Sequence, residues 1–201
     1  MAVVRILRTG VAIGLALLGL LGAVPDGAAQ EIEPRSYSNI PVGLNFLAVG
    51  YVYSKGDVAT DPSVPLEDAS LSVHGTALGY VRSFALFGQS ASVGVLLPYA
   101  WVSGEATFQG EPRAREVSGL ADPRVRLSVN FYGAPAITLE EFADYKQDLV
   151  EGATLLVGVP PGQYESDKLV NIGTNRWSFK PEIGMSKTWG RMTLELAAGA
   201  T

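Results

Sequence analysis

The stretch "DPRVRLSVNFYG", residues 122–133, alternates between two kinds of side chain. Apolar residues occupy every second position from Val125 to Phe131, and polar residues, including Arg124 and Arg126, occupy the positions between them. This period of two predicts a β-strand with one apolar face and one polar face. In a soluble sheet the apolar face would meet a core, whereas in an outer-membrane barrel it would meet lipid and the arginines would meet a wet lumen.

The amino terminus predicts export. Arg5 and Arg8 precede an apolar run over residues 11–21, and the small residues 27–29 suit a signal-peptidase site. The apolar run is shorter than the roughly 20 residues that a membrane-spanning helix needs. We therefore interpret residues 1–29 as a cleaved signal peptide and expect the exported protein to begin at or near Gln30.

The composition of residues 30–201 predicts one β-rich domain without disulfides. Hydrophobic residues make up 47% of the chain, yet no later apolar run is long enough for a spanning helix. The chain has no cysteine, so neither a disulfide framework nor thiol chemistry is available. Its net charge is −5 and it lacks a basic tract, which argues against nucleic acid as a partner.

Alternating runs separated by Gly, Pro, Asp and Ser clusters predict seven strands, most of them about as long as the 9–11 residues that cross a bilayer at a tilt. They are Leu44–Ser54, Leu71–Phe84, Ala91–Val102, Pro123–Tyr132, Leu149–Pro160, Trp177–Ser186 and Met192–Thr201.

The predicted connections differ in length according to the side on which they lie. Long polar connections over 55–69, 104–119 and 161–175 would lie outside, if the first strand crosses outward from the periplasm. Two of the three inner connections are tight turns, and the third, 133–148, is expected to carry a short helix. This asymmetry is typical of outer-membrane barrels. The predicted fold is therefore an all-β, antiparallel, up-and-down outer-membrane-type barrel.

Four of the strands have one apolar and one mixed face, as a barrel with a wet lumen requires. For the second strand we assign Leu71, Val73, Ala77 and Val81 to the lipid face and the alternate residues to the lumen. Applied to all strands, the pattern gives these candidate lumen-facing residues: His74, Arg82, Arg124, Arg126, Asn130, Lys180, Glu182 and Glu195. Carboxylates facing the paired arginines would form either a charged constriction that orients a solute or a salt-bridged filling of a narrow barrel.

Several stretches resemble a known family of exported bacterial proteins. They are "NIPVGLNFLAVGYVYSKGDV" (39–58), "LGYVRSFALFG" (78–88), "SGLADPRVRLSVNFYGAPAI" (118–137) and "LVNIGTNRWSFKPEIGMSK" (169–187). Together they are similar to the family catalogued as "Putative MetA-pathway of phenol degradation". The resemblance implies an outer-membrane barrel related in plan to channels for hydrophobic compounds, and it carries over no catalytic residue. Members run on for several more strands, so we expect these 201 residues to form an incomplete barrel whose first and last strands are its two edges.

The sequence offers no strong candidate for catalysis, a metal site or a cofactor site. His74 is the single histidine, and a lone histidine on a strand usually serves as a hydrogen-bonding side chain. Acidic residues of the first connection could hold calcium, but their spacing is not that of an EF-hand and a solvated loop explains them better. No phosphate loop or nucleophile elbow occurs.

Three functions remain open on these grounds. The first is passive passage of small, aromatic or hydrophobic compounds through the lumen of a non-enzymatic channel, with outer-membrane lipid and a small-molecule solute as partners. The second is a barrel enzyme of the lipase or acyltransferase type. The third is a soluble periplasmic β-barrel binding protein.

Overall fold

The protein was analysed as a computed structural model, which describes residues 36–57, 66–168 and 170–200. The predicted signal peptide and residues 58–65, which include Asp61 of the first connection, lie outside these residues. Within these ranges the chain forms eight strands and one four-residue helix. They are β1 (Asn45–Asp57), β2 (Leu66–Leu86), β3 (Gln89–Phe108), β4 (Glu111–Leu120), β5 (Arg124–Tyr132), α1 (Leu139–Phe142), β6 (Leu149–Gly158), β7 (Ser178–Trp189) and β8 (Met192–Gly199).

The strands form one antiparallel sheet in chain order, a half-barrel in which β1 and β8 lie at the two ends. The order is β1-β2-β3-β5-β6-β7-β8, and β4 pairs with β3 beyond the end of β5. This arrangement confirms the all-β antiparallel fold, the seven strand positions and the two edge strands. Among the described residues, no helix has the length and apolar character needed to cross a membrane.

One predicted loop is a hairpin. Residues 104–119 were expected to form a long outer connection, but β3 runs on to Phe108 and the chain turns at Gln109 and Gly110, both at positive φ. It returns as β4, which pairs with Tyr99–Phe108, while β5 pairs with Ala91–Leu96 of the same strand. The Gly, Pro and charged residues that predicted a loop are tolerated here because β3 and β4 satisfy their backbone hydrogen bonds by pairing with each other.

The connection between β5 and β6 contains the expected short helix. Thr138 caps α1, and its hydroxyl accepts a hydrogen bond from the Glu141 amide while the Glu141 side chain accepts one from the Thr138 amide. Such a reciprocal cap satisfies amide groups that the first turn would leave unpaired. After the helix, the Tyr145 hydroxyl donates to the Gly133 carbonyl and closes the connection against the end of the sheet.

Residues Ser36–Pro41, here called the N-terminal segment, lie on one face of the sheet. The Tyr37 hydroxyl donates to Glu182 on β7, and the Ser83 hydroxyl on β2 donates to the Pro41 carbonyl. We call this face the covered face and the opposite one the open face. Tyr37 of this segment forms a small core with Ala134 and Val150, and Ala197 packs against that core.

The open face is apolar and exposed over most of the sheet. Leu47 and Val49 on β1 are 72% and 78% exposed, and every strand from β1 to β8 except β6 contributes a hydrophobic side chain that is at least 41% exposed. Between Ala91 and Trp101, a strand rises about 33 Å, which a barrel tilt of about 40° reduces to about 25 Å. That height equals the apolar band of an outer-membrane barrel.

The face assignment predicted for β2 is wrong. Val81 pairs with Gly94, and Gly94 pairs with Arg126, so Val81 lies on the covered face with that arginine. Leu71, Val73 and Ala77 lie there too, whereas His74 and Arg82 lie on the open face. The alternation of a strand gives its period, but only pairing with its neighbours decides which set faces which side.

Candidate functional site

Six of the eight candidate residues share the covered face. The register from β5 to β8 brings together Arg124, Arg126, Asn130, Lys180, Glu182 and Glu195. His74 and Arg82 are separated from them by the thickness of the sheet. The polar surface predicted from the alternating pattern therefore exists, but it occupies the half of the sheet formed by β5–β8.

Arg126 is held in a chain of hydroxyl groups. Its Nε donates to the Ser128 Oγ at 3.2 Å, and a terminal nitrogen donates to the Ser36 Oγ at 3.3 Å. The Ser128 hydroxyl lies 3.1 Å from that of Thr154 on β6. Glu182, paired with Thr154 on the next strand, acts electrostatically on the arginine. A fixed guanidinium and a carboxylate on one wall give this face a defined polarity.

Tyr37 is the most deeply buried large side chain of the covered face, with 2% of its surface exposed. Its hydroxyl donates to Glu182 Oε1 at 2.7 Å. A Cβ built on Gly184 would overlap the ring, and one built on Gly152 would lie 2.9 Å from Cδ1. Burial, with a smaller effect of the Glu182 carboxylate, raises the pKa of Tyr37 above its usual value, so the phenol stays protonated.

The first three strands line the covered face differently. Apart from Phe46, the residues here are small or aliphatic, and the face bears no charged side chain from Phe46 to Gly56 of β1 or from Leu71 to Val81 of β2. The covered face of these strands includes Ala48, Gly50, Gly75, Ala77, Gly79, Val81, Gly94, Leu96 and Ala100. A solute on this face would therefore touch an apolar wall on one side and a polar wall on the other.

Asp122, in the break between β4 and β5, anchors the connection between β6 and β7. Its Oδ1 accepts from the Gly162 amide at 3.1 Å, and its Oδ2 accepts from the amide and hydroxyl of Thr174 at 2.7 and 2.6 Å. Burial opposes the charge, but the hydrogen bonds from Thr174 and Gly162 outweigh it and lower the pKa of Asp122. Two of the stretches that resemble the family, 118–137 and 169–187, thus meet in space through Asp122 and Thr174, a contact that the sequence did not predict.

The same connection also contacts the covered face of β4. The Arg115 guanidinium donates to Glu165 at 2.9 Å, and a Cβ on Gly119 would lie 2.7 Å from that of Gln163. The Gln163 amide in turn donates to the Leu120 carbonyl at 2.7 Å. The connection therefore folds over the outer end of the covered face. The sequence of residues 161–175 contains no motif from which these contacts could have been predicted.

His74 belongs to an aromatic cluster on the open face. Its Nδ1 lies 2.7 Å from the Tyr51 hydroxyl, and its ring lies 4.6 Å from that of Tyr53. Trp101, on β3, lies opposite His74 in the register of β2 and β3. Rings of this kind mark the boundary between the apolar band and water in membrane proteins. Within the described ranges, no group of three His, Asp or Glu residues is arranged to hold a metal ion.

Comparisons with known proteins agree with this architecture. The model of the family described as "Putative MetA-pathway of phenol degradation" matches residues 54–201. Among solved structures, the chain is similar to the COG4313 outer membrane channel from Pseudomonas putida F1, with 20% identity and a TM-score of 0.55. The similarity covers 84% of this chain and 59% of the channel, so the chain spans about three-fifths of that protein's length. No curated protein matches the chain.

Proposed function

The chain belongs to the family described as "Putative MetA-pathway of phenol degradation", and from this premise we propose that it is an outer-membrane channel. Small, aromatic or hydrophobic compounds pass passively through its lumen, which the covered face lines. Its partners are outer-membrane lipid around the barrel and the small solute within it. The family description and the channel named by the structural comparison support this proposal.

The observation that carries the proposal is the exposed apolar open face. Leu127 and Leu155 lie near the middle of the sheet, yet they are 41% and 39% exposed. In water, a continuous apolar surface of this size would be a strong drive to aggregate, whereas in a bilayer it is the required exterior. A soluble periplasmic binding protein would instead bury this face.

The two walls of the covered face suit an amphipathic solute. Arg126, Glu182 and Asn130 offer donors and acceptors, while Gly79, Ala77 and Leu96 offer an apolar surface of low relief. An aromatic ring with one polar substituent can satisfy both walls at once, whereas a fully polar or a fully aliphatic solute leaves one wall unsatisfied. This is the physical basis for the proposed solute class.

A barrel enzyme is the weaker candidate. His74 lies on the face that we assign to lipid, and it is held by Tyr51 and Tyr53 rather than by a nucleophile and a carboxylate. A general base in that position would not meet a solute in the lumen. We accordingly propose no catalytic residue, metal or cofactor.

Fractionation and solute uptake test the proposal. The exported protein should separate with the outer membrane and migrate on gels in a heat-modifiable way. Relative to protein-free liposomes, liposomes that contain it should show a larger increase in the rate of phenol entry than in the rate of entry of a sugar of similar mass, whereas equal increases would remove the solute preference. Recovery as a soluble periplasmic monomer would contradict the channel, and hydrolysis of a generic ester by the purified protein would favour the enzyme.

A further inference from the structure

The covered face is already in contact with one phenol group, the side chain of Tyr37. Its side chain is a 4-alkylphenol carried on the N-terminal segment, a stretch without regular secondary structure. The ring is buried against the sheet, and its hydroxyl meets a carboxylate. We propose that Gly152, Gly184 and Glu182 form a binding site for phenolic solutes, which Tyr37 occupies until a solute displaces it.

Two glycines make the site flat enough for a ring. Gly152 and Gly184 pair directly across β6 and β7, so their missing side chains leave one continuous depression. Any Cβ at Gly184 would overlap the Tyr37 ring, and one at Gly152 would also press on the Asn130 side chain and the Val129 carbonyl. The aromatic ring can lie against the sheet because neither glycine has a Cβ atom.

Glu182 selects the substituent of the ring. Its Oε1 accepts the Tyr37 hydroxyl at 2.7 Å, and the Thr154 hydroxyl also interacts with the phenol. A carboxylate accepts a hydrogen bond from a donor such as a hydroxyl group, and it repels an anion. The site therefore fits neutral phenols, but not toluene, which has no donor, and not benzoate, which carries a negative charge.

Besides the bond from Tyr37 to Glu182, side-chain hydrogen bonds hold the segment that carries Tyr37, among them one from the Ser83 hydroxyl to the Pro41 carbonyl at 2.6 Å. Arg126 donates to Ser36 at 3.3 Å, and Asn39 is bound through its amide to Gln147 and through its side chain to the Pro135 carbonyl. Asn39 Oδ1 is buried and has no hydrogen-bond partner among the described residues, which weakens the docked form. Tyr37 can leave without breaking a strand pair, because the segment does not belong to the sheet.

Exchange of Tyr37 for a solute deepens the proposed function and rests on it, because the site would then lie on the path of the passing compound. Binding itself does not depend on passage. The two ideas can therefore fail separately, and the tests below measure binding in detergent without any transport.

The first test empties the site and refills it. In full-length Tyr37→Ala, 4-methylphenol should raise the unfolding temperature and bind with a Kd roughly tenfold or more below that of toluene, because a hydrogen bond to a charged acceptor is lost with toluene. Gly184→Ala added to this variant should weaken binding of both compounds. Glu182→Gln should reduce the preference for 4-methylphenol.

Gly50→Ala, at a covered-face position with open space around it, is the matched control and should change nothing. Equal Kd values for the two compounds would overturn the proposal.

The second test keeps Tyr37 and uses the absence of cysteine from the chain. A single Ser38→Cys, on the N-terminal segment, should react with a maleimide at least several times faster when 4-methylphenol is present. Toluene should not accelerate the reaction, and Glu182→Gln should reduce the acceleration. If 4-methylphenol leaves the labelling rate unchanged, solute does not displace Tyr37 and the inference is wrong. If it binds and displaces Tyr37 but the protein does not raise phenol entry above that of protein-free liposomes, the channel fails while the site stands.

Discussion

The two halves of the sheet use the covered face in opposite ways. From β1 to β3 this face is built of small and aliphatic residues, such as Ala77, Gly79 and Gly94. From β5 to β8 it carries arginine, glutamate and hydroxyl groups, and the N-terminal segment packs against it. The open face, in contrast, is apolar in both halves. The two halves of the sheet therefore differ mainly on the covered face, which is the face that we propose lines the lumen.

The largest expected effect contrasts neighbours on opposite faces of β5. Leu127→Arg places a charge on the open face and should reduce outer-membrane insertion by roughly 2–4 kcal/mol near the middle of the membrane. Arg126→Ala should insert normally and alter the conductance of the open barrel. Heat-modifiable migration of the two variants after refolding into lipid measures the difference. Equal tolerance of both changes would mean that the two faces are not distinguished by lipid.

The residues of β5, β7 and β8 that share a face with one another could be predicted from sequence, whereas the match of β2 to that face could not. In β5 the alternation of Arg126 and Leu127 indicates which residues lie together, and the register with β6 agrees. In β2 the covered set of Leu71, Val73 and Val81 is as apolar as many open sets, while the open set contains His74 and Arg82. The sequence pattern predicts that the side chains of β2 alternate between two faces, but only the register with β3 shows which set lies on the covered face.

Long-range contacts of irregular segments could not be predicted either. Nothing in the sequence placed Tyr37 on Gly152 and Gly184, since such a contact depends on how the chain enters the barrel. The Asp122 anchor was recognisable only as a family-specific motif, because a carboxylate before proline gives no indication of a partner 52 positions away. Charged residues on a strand are visible to pattern analysis, whereas glycines that admit a ring are not.

The same substitution in each half gives the second comparison. Gly152→Ala in β6 should cost about 1–3 kcal/mol, because its Cβ would lie 2.7 Å from Asn130 Oδ1 and 2.9 Å from the Tyr37 ring. Gly79→Ala in β2 should stay within about 0.5 kcal/mol, because its nearest neighbour is a Leu96 methyl at 3.6 Å. Urea titration of the refolded proteins measures both. Similar losses at the two positions would remove the difference in packing between the halves.

Asp122 tests whether the outer end of the polar half is anchored. Asp122→Ala should loosen the connection between β6 and β7 by about 1–3 kcal/mol, since it leaves the Thr174 and Gly162 donors unpaired. Limited proteolysis within residues 161–175 reports this opening. The lowered pKa of Asp122 means that the anchor is complete above the ordinary carboxyl pKa and is lost as the pH falls through the lowered value. Asp122→Asn should lack this pH dependence, and wild-type cleavage that is independent of pH would contradict the anchor.

The smallest expected effect concerns two cations on opposite faces. Lys180→Ala removes a charge from the covered face and should change ion selectivity in planar bilayers by a modest factor. Arg82→Ala removes one from the open face, near the Phe87–Gly88 turn, and should leave selectivity unchanged. A change with Arg82→Ala as large as that with Lys180→Ala would restore the lumen-facing position that the sequence suggested for both residues, and a change with Arg82→Ala alone would contradict a lumen lined by the covered face.

The most direct measurement uses two adjacent leucines of β3. Leu96 lies on the covered face and Leu97 on the open face, and their exposures are similar at 36% and 42%. Each is replaced by cysteine in the otherwise cysteine-free chain and studied in lipid vesicles. We expect Leu96→Cys to react with a charged, water-soluble thiol reagent. We expect Leu97→Cys to resist that reagent, and a fluorophore attached there should be quenched by spin-labelled lipid. The reverse pattern, or the same behaviour at both positions, would contradict a lumen lined by the covered face.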